Sequence, residues 1–259
     1  MSIFWILNHQ IIPFSEKEVD ELFPNNYAYE VIRLINGTPL FLDLHYKRLL
    51  KTCANQYQFN TPSKEILQNE IALLIKKNKL KNINVKIIIN EEYRAVFAIP
   101  SVYPKPDNYS RGVKCNLLLE ERKNPEIKVF QAELRKKVDK KKLEEGVFES
   151  VLVNREGFIT EGSKSNIFFI KGKELYTAPD QLVLSGITRQ KVIEICKEHS
   201  YQMNFDAISY QDIAQFDSAF ICGTSPGVLP ISSIEDVSFQ VVSPILQKIH
   251  EAYHNYLAE

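Results

Sequence analysis

Lys128, Lys114 and Glu161 are residues of this chain whose types and settings could do chemistry. Lys128 sits in PEIKVFQ (125–131), with Ile127 and Val129 beside it and Phe130 beyond. An amine in an apolar, partly buried setting holds its proton less tightly, which frees the lone pair for attack on a carbonyl. Lys114, in GVKCNLLL (112–119), is a rival in a similar setting, and local reading does not choose between them. For either lysine the plainer reading is a side chain pointing off an edge strand into water. Glu161 sits in FITEGSKSNIFFI (158–170), where two apolar runs, each suited to a strand, flank TEGSKSN. A carboxylate at the edge of a buried sheet is costly without a partner, so Glu161 must face something.

Three further features could receive an anion. In LSGITRQKVIEIC (184–196), Ser185-Gly186 runs straight into a helix that begins at Ile187 and Thr188. The uncapped N–H groups and the positive end of the helix dipole favour an anion there, and a glycine lets a phosphate come close. In FICGTSPGVLP (220–230) a strand ends in Gly223-Thr224-Ser225, a turn that exposes N–H groups and hydroxyls. Arg48, in DLHYKRLL (43–50), could grip a phosphate with two parallel hydrogen bonds. Taken singly, the plainer readings are an ordinary N-cap, a strand-to-loop turn and a surface arginine. None is a Walker motif or a GxGxxG fingerprint.

The elements that must position these residues follow from periodicity. IFWIL (3–7) and QIIPF (10–14) read as a hairpin around Asn8-His9, and YAYEVIRLI (27–35) as a strand closed by Asn36-Gly37. Helices are expected from Asp43 to about Tyr57 and from about Ser63, as N-cap, to Lys77. NVKIIINEEYRAVFAIP (84–100) reads as two strands around Glu91-Glu92. YPKPDNYSRG (103–112) is rich in Pro, Asn, Ser and Gly and reads as an interdomain linker. Beyond it come strands at 113–119, 149–154 and 174–177, the strands around TEGSKSN, and one ending at Cys222. Helices are expected at 133–145, from Thr188 to about His199, and from about Pro244. The pattern predicts mixed α and β in two domains, 1–104 and 113–259, joined by 105–112.

Bulk properties set outer limits. Of 259 residues 44% are hydrophobic, enough for a substantial core. Lys+Arg and Asp+Glu balance at 32 each, which gives no support for a nucleic-acid footprint. The four cysteines, Cys53, Cys115, Cys196 and Cys222, form neither a CxxC pair nor a zinc-like spacing with histidine. We expect reduced, buried thiols, no metal and a cytoplasmic protein. MSIFWILNHQII lacks the basic n-region of a signal peptide, and no apolar run approaches membrane-spanning length.

Four pieces, in order, resemble the fold-type IV pyridoxal-phosphate enzymes, the class IV aminotransferase family of branched-chain and D-amino-acid aminotransferases and aminodeoxychorismate lyases. They are YEVIRLINGTPLFLDLHYKRL, GFITEGSKSNIFFIKGKELYT, LSGITRQKV and FICGTSPGVLPI. The resemblance implies a small N-terminal α+β domain and a larger β-rich C-terminal α/β domain. It implies that Glu161 faces the pyridine nitrogen of pyridoxal 5'-phosphate and that Lys128, by family spacing, is the Schiff-base lysine and proton shuttle. The phosphate would rest on Ile187 and Thr188, with Thr224 and Arg48 completing the cup. On the substrate side, Tyr29 and Val31 would line the side-chain pocket. Arg33 or the Gly223-Thr224-Ser225 turn would hold a carboxylate.

Departures from the family concern the substrate. Val31 stands where the lyases have a threonine, and Glu133 where many transaminases have a tyrosine. Arg94-Ala95-Val96 is the nearest match to the arginine–histidine carboxylate trap of the D-amino-acid enzymes. The expected activity is transfer of an amino group between an amino acid and a 2-oxo acid, with a lyase releasing pyruvate as the alternative. The family also implies a homodimer acting on small molecules, with no nucleic-acid or membrane partner.

Overall fold

The computed structural model describes residues 3–56, 59–101 and 103–258. They divide into two compact units. The first takes in the described residues to 101 together with Ile127–Gln131, and the second takes in Tyr103–Glu126 and the chain from Ala132 onward.

The first unit is built on six strands with intervening helices. In chain order these are β1 (Phe4–Leu7), β2 (Gln10–Pro13), α1 (Glu16–Leu22), β3 (Ala28–Ile35), β4 (Thr38–Pro39), α2 (Leu42–Gln56), α3 (Lys64–Asn78), β5 (Asn84–Ile89) and β6 (Arg94–Ile99). The sheet order is β2-β1-β6-β5-β3-β4, with every pairing antiparallel. The β1–β2 hairpin turns at Asn8 and His9, both at positive φ. In β3 the strand period of two sends Ala28, Glu30, Ile32 and Leu34 into the buried phase. That phase packs with Leu49 and Cys53 of α2 and Leu67, Ile71 and Leu74 of α3. Ser63 caps α3 by accepting from the Ile66 N–H, as its sequence position predicts. The expected end of α2 near Tyr57 lies outside the described residues.

The second unit holds α4 (Pro106–Arg111), β7 (Val113–Leu118), α5 (Ala132–Glu145), β8 (Glu149–Val153), β9 (Phe158–Gly162), β10 (Asn166–Lys171) and β11 (Glu174–Tyr176). It continues with α6 (Ile187–Glu198), β12 (Gln202–Asn204), β13 (Ile208–Ser209), β14 (Ser218–Gly223), β15 (Gly227–Ile234), β16 (Val237–Ser238) and α7 (Pro244–Ala258). Its sheet runs β12-β11-β10-β14-β15-β7-β8-β9-β13, with β16 beside β15. At its centre β7 lies parallel to both β15 and β8. Val151, Ile167, Phe169, Ile221 and Leu229 belong to its core.

The structure departs from the linker expected at 105–112. That stretch forms α4, in the second unit, because Pro106 occupies its first turn and Asn108 Oδ1 accepts from the Lys105 N–H at 2.8 Å. Residues 127–131, beyond the supposed linker, belong to the first unit through pairing with β3. The four cysteines are free and buried, and burial pushes the Cys196 and Cys222 thiols up to about 12. Among the described residues no helix is long and apolar enough to cross a membrane.

Gly112 joins α4 to β7 at φ +69°, where a Cβ would stand 2.8 Å from the Ser232 backbone nitrogen. Gly146 has a similar φ of +64° but open space around it. Gly146→Ala is therefore expected to lose about 1 kcal/mol, from the left-handed conformation alone. Gly112→Ala adds a clash with backbone and is expected to lose about 3 kcal/mol or more. Urea unfolding midpoints of the two variants check this ordering.

Candidate active site

Lys128 is half-buried in the first unit, whereas its rival Lys114 is exposed on β7 of the second. Three hydrogen bonds fix the Lys128 segment along β3. Its carbonyl accepts from the Tyr29 N–H at 3.1 Å, and Phe130 N–H donates to the Tyr27 carbonyl at 3.1 Å. Its own N–H donates to Thr52 Oγ1 at 3.2 Å, while that hydroxyl donates to the Arg48 carbonyl at 2.9 Å. The Lys128 amine lies 4.8 Å from the centre of the Tyr29 ring.

Beneath that segment is a buried charge cluster that the sequence reading did not single out. Glu30 accepts from Arg48 Nε and Nη2 and from His45 Nδ1, each at 2.7 Å. Burial opposes ionisation of Glu30, but the Arg48 charge and these hydrogen bonds outweigh it and hold the carboxyl well below the usual carboxylate range. Burial pushes the His45 imidazole below its ordinary value, against the pull of the Glu30 carboxylate that its Nδ1 faces. Arg48 is thus a buried residue whose fork is held by its own unit, not a surface side chain. The available signal was the phase of β3, which puts one charged residue among Ala28, Ile32 and Leu34.

Tyr29, Val31 and Arg33 share the less buried face of β3. Lys86 of β5 stands opposite Val31 and joins that face. Its amine lies 3.2 Å from the Tyr27 hydroxyl and 5.5 Å from the Tyr29 ring centre. Lys86 was hidden inside a correctly read strand. Arg94, expected as a substrate-side residue, is paired within its own unit. Its Nη2 and Nε donate to Glu70 at 2.7 and 3.1 Å, and His9 lies 3.1 Å from the same Nη2. The start of β6 faces α3 there, so the Arg94 charge is neutralised by a carboxylate of its own unit.

In the second unit Glu161 is 2% exposed, and its partners are now visible. Oε2 accepts from the Leu184 N–H and from Asn166 Nδ2, both at 3.2 Å. Oε1 lies 3.0 Å from Arg122 Nε, an ion pair by distance whose N–H does not aim at the oxygen. The turn after Glu161 is wrapped around a second buried carboxylate. Glu149 accepts from Ser163 Oγ at 2.6 Å, Ser165 Oγ at 3.0 Å and the Lys164 N–H at 3.2 Å. Gly162 is required in this turn, since a Cβ would fall 2.1 Å from Ser165 Oγ.

The helix expected to receive an anion starts at Ile187, and Gly186, its N-cap, brings no side chain to cap the N–H groups. Thr188 is buried, with its hydroxyl 3.5 Å from that of Tyr253. Thr224 and Ser225 lie half-buried in the turn joining β14 to β15. Asn166, which the sequence reading quoted but did not single out, meets all three motifs. Its Nδ2 also donates to the Leu184 carbonyl at 2.9 Å, its Oδ1 occupies the place of any Cβ on Gly186, and its backbone pairs with Cys222 next to Gly223. The TEG, LSGIT and CGT stretches therefore converge on one amide. An acid, an uncapped helix start and a hydroxyl-bearing turn are the donor set that a phosphorylated, basic heteroaromatic ring needs, so the residues fit pyridoxal 5'-phosphate.

The sequence matches the family model "Amino-transferase class IV" over residues 27–234. It is 26% identical over 245 residues to the D-alanine aminotransferase of Bacillus licheniformis, covering 88% of this chain and 86% of that protein. The fold is similar to a T.th. branched-chain amino acid aminotransferase solved with pyridoxamine 5'-phosphate. The TM-score is 0.86 at 20% identity, over 98% of this chain and 94% of that one. It is also similar to a putative 4-amino-4-deoxychorismate lyase of Legionella pneumophila. There the TM-score is 0.81 at 20% identity, over 91% and 93% of the two chains.

Glu30 gives a pH test. Its proton is held less tightly in the folded chain than in the unfolded one, whose carboxylate titrates at about 4.3. Its stabilisation is therefore full above that value and is lost as pH falls toward the folded value. Glu30→Gln leaves Arg48 without its counter-charge and is expected to lose about 3–5 kcal/mol at pH 7. The acid limb of its stability profile should be shallower than that of the parent, as measured by chemical unfolding from neutral pH down to acid.

Proposed function

The chain belongs to the class IV aminotransferase family, and from that premise we propose that it is a pyridoxal-phosphate-dependent transaminase moving an amino group between an amino acid and a 2-oxo acid. The observation that carries the cofactor assignment is the convergence of Glu161, the start of α6 and the Gly223-Thr224 turn on Asn166. The pyridoxamine phosphate in the aminotransferase of similar fold supports it. When bound, pyridoxal phosphate supplies an aldehyde that condenses with amines and a ring that takes up the electron pair left on breaking a bond at the substrate α-carbon.

The chain's own residues do the rest. Lys128 would hold the cofactor through its amine and, when free, would move the proton at the substrate α-carbon as general base. Glu161 keeps the ring nitrogen protonated. The N–H groups of Ile187 and Thr188 and the Thr224 hydroxyl would bind the phosphate, and Arg48, whose fork Glu30 holds, is the further charge that the family resemblance would add to the cup. Tyr29 and Val31 line the substrate pocket. Arg33 and Lys86 favour substrates with acid groups, and the Ser225 turn receives a carboxylate. Buried, free cysteines support a reducing compartment, the cytoplasm, and family practice supports a homodimer.

With the full chain loaded with cofactor, an amino-acid donor should bleach the visible cofactor band and a 2-oxo acid should restore it. Lys128→Ala should slow this exchange by about 10²–10⁴-fold. Pyruvate released from aminodeoxychorismate without any acceptor would replace the transaminase reading with the lyase one.

A further inference from the structure

We infer that Asn166 is a positioning residue that sets both ends of the cofactor seat at once, the acid for the ring nitrogen and the helix start for the phosphate; this rests on the cofactor reading above. Asn166 is 5% exposed, and its Nδ2 makes two hydrogen bonds. One Nδ2 hydrogen goes to Glu161 Oε2 at 3.2 Å and the other to the Leu184 carbonyl at 2.9 Å. Leu184 in turn donates its N–H to the same Glu161 oxygen at 3.2 Å. Glu161, Asn166 and Leu184 thus close a ring of three hydrogen bonds.

That ring fixes Glu161 Oε2 and, through Leu184, the two residues that precede the α6 N-cap. Asn166 Oδ1 faces Gly186, where a Cβ would approach to 2.0 Å, so the N-cap packs directly on the amide. The backbone of Asn166 pairs with Cys222, which leads into Gly223-Thr224. A carboxylate oxygen only accepts and a carbonyl only accepts, so a side chain joining Glu161 to the Leu184 carbonyl must offer two donor hydrogens. Asparagine does so at this length. Aspartate would set a second negative charge against Glu161, and serine has one hydrogen to give.

Two partial probes separate the ends. Pyridoxal carries the ring without the phosphate, and inorganic phosphate carries no ring. In the full-length apoprotein, Asn166→Ala should weaken both by about ten-fold, the scale of one lost buried hydrogen bond. In a Glu161→Gln background the same change should weaken pyridoxal by less than about two-fold, because its ring-end effect runs through Glu161, while phosphate still weakens about ten-fold. Asn166→Ser, with one donor, is read in the same way if the alanine variant does not fold. Loss at only one end, or equal losses for pyridoxal in both backgrounds as a packing defect would give, overturns the inference. Parent protein that binds neither pyridoxal nor phosphate overturns the cofactor reading itself.

Discussion

A carboxylate removed from water must recover its lost hydration from donors and cations, or it does not stay ionised. Among the described residues four glutamates are under that constraint, Glu30, Glu70, Glu149 and Glu161, and three of them organise the candidate site residues. Glu30 draws Arg48 and His45 of α2 onto β3. Glu149 winds Ser163, Lys164 and Ser165 into one turn. Glu161 collects Leu184, Asn166 and Arg122. Hydrophobic burial makes the two units compact, but it has no direction. The partners that these charges require set the local geometry within each unit.

The two units use the device differently. In the first, Arg48 is anchored through Glu30 while Thr52, one helical turn on, holds both the Arg48 carbonyl and the Lys128 N–H. The position of Lys128 thus depends on α2, which the Glu30 cluster ties to the sheet. In the second, Glu149 supports the turn that follows Glu161, so the acid sits on a β9 end with no freedom to swing. Residues that must meet a ligand in one orientation are set on strand ends and helix starts, and carboxylates buried beneath them hold those ends still.

Much of the fold was legible in the sequence because burial imprints a period. The alternation in β3, the i, i+4, i+7 spacing of Leu67, Ile71 and Leu74, and Ser63 before α3 each mark their element locally. The start of α6 was legible too, since Gly186 precedes its first residue; Gly186 itself is extended, and what it needs is room beside Asn166 Oδ1, which the sequence does not report. What periodicity does not report is partnership. Glu30 sits in the buried phase of its strand, yet nothing in YEVIR says that Arg48 and His45 meet it. Lys86 and Asn166 were read as members of strands because their roles depend on neighbours far away in the chain. Pro106 misled for the opposite reason. A proline opens a helix as readily as it stiffens a linker, and only the Asn108 cap decides between them.

We propose Lys128 as the amine that would hold the cofactor covalently. Borohydride reduction of the full chain incubated with pyridoxal phosphate, followed by peptide mass mapping, tests this directly. The expected result is a single phosphopyridoxyl group on the peptide containing Lys128. The group on Lys114 or Lys86, or on no lysine at all, would contradict it.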